Sequence, residues 1–146
     1  MHITIAALGK LKDPALKSLY DEYKKRLEWK ITLHEFETKA SPGQEEALLL
    51  NAIPPSAFLI ILDEKGENLK SEEFADCLKH IQLYHQGKLG LIIGGANGLS
   101  EEVKKKSQKS ISFGRMTWPH LLVRVMLIEQ LYRAQQILKG HPYHRG

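Results

Sequence analysis

The sequence predicts an α/β fold in a single domain over residues 1–146: a mostly parallel sheet covered by helices on both faces. Three observations lead there. Apolar, β-branched runs alternate with segments of helical period along the whole chain, the order of a parallel sheet with crossover helices. Two of those runs, 57–62 (AFLIIL) and 89–93 (LGLII), are apolar nearly throughout, as strands covered on both faces must be. A length of 146 residues fits one domain, and 42% hydrophobic with 26% charged residues excludes collagen-like, coiled-coil and largely disordered chains.

The elements follow in order. Residues 2–8 (HITIAAL) read as the first strand. Asp13 before Pro14 is an N-cap with proline at the first helical position. Leu16, Leu19, Tyr20, Tyr23 and Leu27 recur on one face of the helix it opens. Residues 31–37 alternate apolar and polar, a second strand, and Ser41-Pro42 caps a short helix that Pro54-Pro55 stops. The strand at 57–62 closes in a turn over Asp63, Glu64, Lys65 and Gly66. Ser71 caps a helix to about residue 85, with Glu72 and Glu73 in the first turn, where the helix dipole favours acids. Phe74, Cys77, Leu78, Ile81 and Leu83 are its apolar positions, which makes Cys77 a packed residue. The strand at 89–93 ends in Gly94-Gly95, Ser100 caps a short helix, and 110–113 is a fifth strand. Pro119 opens the longest helix, to about residue 138, with Gly140 and a short tail after it.

That last helix is apolar almost all round, from Leu121 and Leu122 to Ile137 and Leu138. Such a helix is buried on more than one side. With the sheet on one side, a second subunit takes the other, so a homodimer is expected. No run is long enough to span a membrane, no export signal is evident, and the lone Cys77 suits a reducing compartment. The cytoplasm is the expected location.

Charge is unevenly spread. Residues 1–103 carry twelve Lys/Arg against sixteen Asp/Glu, whereas residues 104–146 carry nine Lys/Arg against Glu129 alone. A basic third on a mildly acidic body points to a polyanion partner, nucleic acid first among them. A solvated lysine run at Lys104, Lys105 and Lys106 is the plainer reading of part of it.

Ligands of such sheets bind beyond the carboxyl ends of strands, where strand order reverses. Here those ends are Leu62-Asp63, the glycine cluster 94–98 (GGANG) and the loop Phe113, Gly114, Arg115, Met116, Thr117 and Trp118. The cluster matches neither the dinucleotide fingerprint nor the P-loop. Either it lets a ligand approach the backbone closely or it is a plain strand-to-helix turn. The second loop offers backbone for an adenine edge between walls of Met116 and Trp118; a hydrophobic staple capped at Thr117 or Trp118 explains the same residues. Tyr143, His144 and Arg145 suit acid–base chemistry and polyanion contact, against the alternative of a frayed terminus. His141 and His144 lack the further converging ligands that zinc needs, so no metal is expected. Glu129 and Arg133, four residues apart, can pair along the helix and hold Arg133 in a pocket.

Four segments in order, 91–99 (LIIGGANGL), 116–124 (MTWPHLLVR), 129–134 (EQLYRA) and 141–145 (HPYHR), closely resemble the RlmH family, small SPOUT-class methyltransferases of pseudouridine in 23S ribosomal RNA. The likeness runs along the whole chain and is densest from residue 89. It implies a C-terminal trefoil knot, S-adenosylmethionine as cofactor, and a homodimer that completes each active site across its interface and works on the assembled ribosome. It implies cofactor contacts at Leu62, Gly94 and Phe113 to Trp118, and substrate-side roles for Arg133, Tyr143, His144 and Arg145. His144 is the candidate base for N3 of the nucleoside, Arg133 stabilises the anion or a phosphate, and Tyr143 stacks on or bonds the flipped base. The chain departs from the family in a shorter segment at 38–55 and in Leu121 after the Pro-His pair. A non-catalytic RNA- or ribosome-binding module of the same fold is the alternative, and a doubly wound nucleotide enzyme a third reading that the missing fingerprint disfavours.

Overall fold

The computed structural model describes residues 1–37, 41–95 and 97–145; the start of the shortened segment (38–40), position 96 of the glycine cluster and residue 146 lie outside the described residues. Five strands form one parallel sheet in the order β2-β1-β4-β3-β5. They are β1 (His2–Leu8), β2 (Lys30–Phe36), β3 (Phe58–Asn68), β4 (Lys88–Ile93) and β5 (Lys109–Ser112). The helices are α1 (Pro14–Arg26), α2 (Pro42–Ala52), α3 (Ser71–Tyr84), α4 (Glu101–Lys106) and α5 (His120–Leu138). Among the described residues, no helix is long and apolar enough to cross a membrane.

Both faces of the sheet are covered, as the apolar strands require. Alternate residues of β1 show why: Ile3, Ile5 and Ala7 enter one core with Tyr20, Phe74, Leu78 and Leu131 of α1, α3 and α5. Ala6 and Leu8 enter the other with Leu49 and Ile53 of α2 and Val103 of α4. The caps stand where the sequence puts them for α1, α2 and α4: Asp13 accepts from Ala15 N and Leu16 N, Ser41 from Gln44 N, and Ser100 from Val103 N.

Several boundaries differ from expectation for local reasons. The turn at 63–66 is an excursion inside a longer strand: Leu62 and Glu67 both pair with Ile111, and β3 resumes to Asn68. Gly66 is what permits this, because a Cβ there would lie 2.6 Å from the Ile111 carbonyl carbon. The cap of α3 is Lys70, whose N–H donates to Glu73; Ser71 is the first helical residue, its Oγ donating to Gln130 of α5 at 2.9 Å. Leu83, expected on the apolar face, is 65% exposed. Cys77 does pack against the core, half-buried, and burial pushes its thiol pKa up.

Helix α5 is fastened at both ends by polar bonds. Near its start the fully buried Arg124 donates to the main-chain carbonyls of Gly9 and Leu8, both at 2.9 Å, and to the Glu35 carboxylate. Glu35 also accepts from Leu11 N at 2.9 Å. Near its end Gln135 Oε1 accepts from Glu28 N at 2.7 Å. Removing one partner of a buried pair strands the other. Arg124→Ala is therefore expected to cost about 3 kcal/mol of stability. The double change Arg124→Met with Glu35→Leu should cost clearly less, because no charge is left unpaired. Urea melts of the single and double variants check both values.

Candidate active site

The excursion within β3 and the carboxyl ends of β4 and β5 converge on the start of α5 around a cleft of about 320 Å³. Helix α3 reaches β4 along one face of the sheet and α4 leaves it along the other, so the chain reverses direction at β4 and a crevice opens there. Leu62 and Asp63 supply one wall, Gly94, Gly95 and Gly98 a second, and Phe113, Gly114, Met116 and Trp118 a third. His120 and Val123 of α5 close it.

The loops are held by their own hydrogen bonds. Ser112 Oγ donates to the Gly114 carbonyl at 2.6 Å, and Trp118 Nε1 donates to the Phe113 carbonyl at 3.2 Å. Gly114 has φ +108°, a conformation that side chains disfavour, and a Cβ there would meet no protein atom within 4 Å. It presents bare backbone to the cleft. The glycine loop is braced from the opposite face: Glu46 of α2 accepts from Ser100 N at 2.7 Å and from Ser100 Oγ at 2.6 Å.

Of the cofactor-side residues expected from the sequence, Leu62, Gly94, Phe113, Gly114, Met116 and Trp118 line the cleft. Arg115 and Thr117 share the loop but stand exposed, off the lining. Asp63, at the strand end marked in the sequence, lines the cleft as well, and so do Lys104 and His120. Lys104 reaches Asp63 at 3.3 Å, and that carboxylate holds its ammonium above the usual lysine range. Burial, and then the Arg124 charge, lower the His120 pKa. Lys104 read in sequence as one of a solvated run, and the partner that changes this is 41 positions away, at the end of another strand.

The residues expected on the substrate side form a second cluster. Glu129 accepts from Arg133 Nε at 3.1 Å and Nη2 at 2.8 Å, and from the Tyr143 hydroxyl at 3.0 Å. The Arg133 guanidinium lies 5.0 Å from the Tyr143 ring centre, and that ring meets Tyr132 edge-on at 4.8 Å. Burial and the hydrogen bonds to Tyr23 and Glu129 push the Tyr143 hydroxyl pKa far up. His144 Nδ1 lies 3.0 Å from Arg133 Nη1, and its Nε2 lies 2.8 Å from Glu72 Oε1 of α3. Arg145 Nε donates to the Pro142 carbonyl at 3.2 Å. The tail is thus pinned rather than frayed, and the expected Glu129–Arg133 pair is present. None of these residues lines the 320 Å³ cleft; Glu129 instead borders an adjoining cleft of about 580 Å³ that shares Ile111 to Gly114 with it.

The basic third is less free than its composition implies. Lys104, Lys109, Arg124, Arg133 and Lys139 each meet a carboxylate, of Asp63, Glu67, Glu35, Glu129 and Glu28 respectively. Among the described residues Lys105, Lys106, Arg115 and Arg145 have no ion pair, and no group of three His, Cys, Asp or Glu could hold a metal.

Comparison with known proteins agrees with this layout. The fold is similar to that of a probable methylase family protein from Haemophilus influenzae Rd KW20, with a TM-score of 0.60 at 14% identity over 99% of this chain and 70% of that one. The family model described as "Predicted SPOUT methyltransferase" matches residues 1–144. The chain belongs to the SPOUT methyltransferase family. Relatives of this SPOUT enzyme include proteins called ribosomal RNA large subunit methyltransferase H. That of Rhodospirillum centenum is 46% identical over the full length of both chains. That of Carboxydothermus hydrogenoformans is 45% identical over 99% of this chain and all of its own. This SPOUT protein is accordingly a methyltransferase, and its reaction needs a methyl donor.

His120 makes the stability of the SPOUT domain sensitive to pH. Its folded-state pKa is below the ordinary 6.5, so on acidification the unfolded chain takes up the proton first. The contribution is present above about pH 6.5 and lost as pH falls through the folded value. Urea melts between about pH 5 and 8 are expected to show a shallower acid loss for His120→Gln than for the parent.

Proposed function

We propose that this protein is an S-adenosylmethionine-dependent methyltransferase of N3 of a pseudouridine in 23S ribosomal RNA, acting in the cytoplasm on the assembled ribosome. The observation that carries the reading is the glycine-lined cleft at the β3 excursion and the carboxyl ends of β4 and β5, in a chain that matches proteins named as large-subunit ribosomal RNA methyltransferases along its whole length. The cleft fits the cofactor. Gly114 offers backbone without a side chain in the way, and Leu62, Met116 and Trp118 offer apolar surface to an adenine ring. Leu62, Gly94 and the loop from Phe113 through Gly114, Arg115, Met116 and Thr117 to Trp118 would hold it. When bound, S-adenosylmethionine supplies an electrophilic methyl group on a sulfonium.

The chain's own groups do the rest. N3 of pseudouridine carries a proton and attacks poorly until that proton leaves. His144 would receive it on Nδ1 once Arg133 turns from the imidazole to the developing anion or a phosphate. Arg145 would contact the RNA backbone. The Tyr143 ring already lies under the Arg133 guanidinium, so an unpaired base that displaces the guanidinium would find an aromatic face.

In one chain the tail cluster does not line the cofactor cleft, which favours a homodimer in which a second copy brings them together. The surface between α1, α3 and α5, with Leu19 at 44% exposure beside Leu122 and Met126, is the apolar face such a copy would cover. A trefoil knot formed by the C-terminal segment belongs to the same reading.

Mass mapping of large-subunit RNA from cells with and without the protein tests the substrate; one N3-methyl mark on pseudouridine should vanish without it. On ribosomes in vitro, His144→Ala and Arg133→Ala should each lower methyl transfer at least about a hundredfold. Near-parental turnover by both, in variants that keep the parental oligomeric state, would remove those roles. Gly114→Val should weaken S-adenosylmethionine binding at least about tenfold in calorimetry, with an unchanged circular dichroism spectrum.

A further inference from the structure

We propose that Glu72, in the first turn of α3, is a positioning residue for His144: its carboxylate accepts the imidazole Nε2–H and so leaves Nδ1 as the unprotonated nitrogen. The inference rests on the reading of His144 as the group that receives the nucleoside proton, and adds a residue from a different part of the chain.

Two contacts assign the same tautomer independently. Arg133 Nη1, 3.0 Å from His144 Nδ1, can only donate, so Nδ1 accepts and carries no proton. Glu72 Oε1, 2.8 Å from Nε2, belongs to an ionised carboxylate that can only accept, so Nε2 carries the proton. The hydrogen bond from His144 holds the Glu72 carboxyl below the usual carboxylate range, which keeps it ionised at neutral pH. A carboxylate on one ring nitrogen fixes both the orientation of an imidazole and which nitrogen is basic.

The charged surroundings leave this part to Glu72. From α5, Glu129 is engaged by Arg133 and by the Tyr143 hydroxyl. From α3, Lys70 lies near Glu72 and adds to the stabilisation of its charge. From α1, Tyr23 lies near Tyr143. Within the tail, Arg145 bonds the Pro142 carbonyl. Helix α3 and the C-terminal tail, 72 positions apart in sequence, are thus joined through the imidazole.

The proton balance is simple. N3–H of the nucleoside gives its proton to Nδ1, vacated by Arg133, and the resulting imidazolium sits against the Glu72 carboxylate, which keeps its charge throughout. A residue that merely complements the α3 dipole would give the same ground-state stability but no influence on the ring.

The test has two readouts. In purified, ligand-free protein, the ring nitrogen resonances of His144 should report the Nε2–H tautomer, and Glu72→Gln and Glu72→Ala should lose that preference. In the methylation assay on ribosomes, Glu72→Gln should lower kcat/KM about tenfold. The acidic limb of its pH profile should move to lower pH, because the imidazolium loses an anionic neighbour. Thermal melts confirm that the variants are folded. A parental tautomer in both variants overturns the proposal, and so does an acidic limb that does not move. If the parent enzyme methylates no ribosomal RNA, the functional reading falls alone, and the ring measurement still decides whether Glu72 sets the tautomer.

Discussion

The buried Arg124 holds the working end of this molecule together. One guanidinium joins the start of α5 to the last residues of β1 and, through Glu35, to the end of β2. The acceptors include two main-chain carbonyls, which no change of side chain at Leu8 or Gly9 removes. A lysine could carry the charge but not the planar fork that reaches all three acceptors at once. Because His120 and Val123, which close the cleft at the strand ends, lie within one turn of Arg124, the position of the cleft wall follows from this bond set. Burial disfavours the charge, and its partners all lie at one end of the sheet.

Around that anchor the site is assembled from loops that cannot move independently. The excursion at 63–66 begins and ends against the same residue of β5, and it carries Asp63, which holds Lys104 of α4. The loop after β5 is bonded to itself through Ser112 and Trp118. Met116, 76% exposed, is the most accessible apolar side chain at the opening. The tail cluster is organised separately, around Glu129, and the two assemblies meet along Phe113 and Gly114, which border both clefts.

Much of this was legible in the residues. Strand–helix alternation gave the parallel sheet with covered faces, and the glycine and aromatic loops marked the strand ends that line the cleft. The Glu129–Arg133 spacing gave their pair. What sequence could not show is contact between distant positions. Arg124 looked like one polar residue on an apolar helix, yet its partners lie more than 80 positions away. Glu72 looked like a dipole-complementing acid until the tail was seen to return to it. The turn at 63–66 had correct turn chemistry, but nothing local says that the strand resumes afterwards; that depends on Ile111 pairing on both sides of it. The basic third had the right count of charges, while four of its nine meet acids elsewhere in the chain and a fifth, Arg133, meets Glu129.

The Glu46 brace on Ser100 has a consequence for how such a methyltransferase can diverge. Helix α2 lies on the face of the sheet away from α5, yet one of its side chains grips Ser100, two residues past the glycine cluster, through two hydrogen bonds. A gain or loss of chain ahead of α2 that rotated or slid the helix would pull on that grip and tilt the loop from behind. A change of chain length there would then shift the glycine loop of the cleft without altering a single residue that lines it.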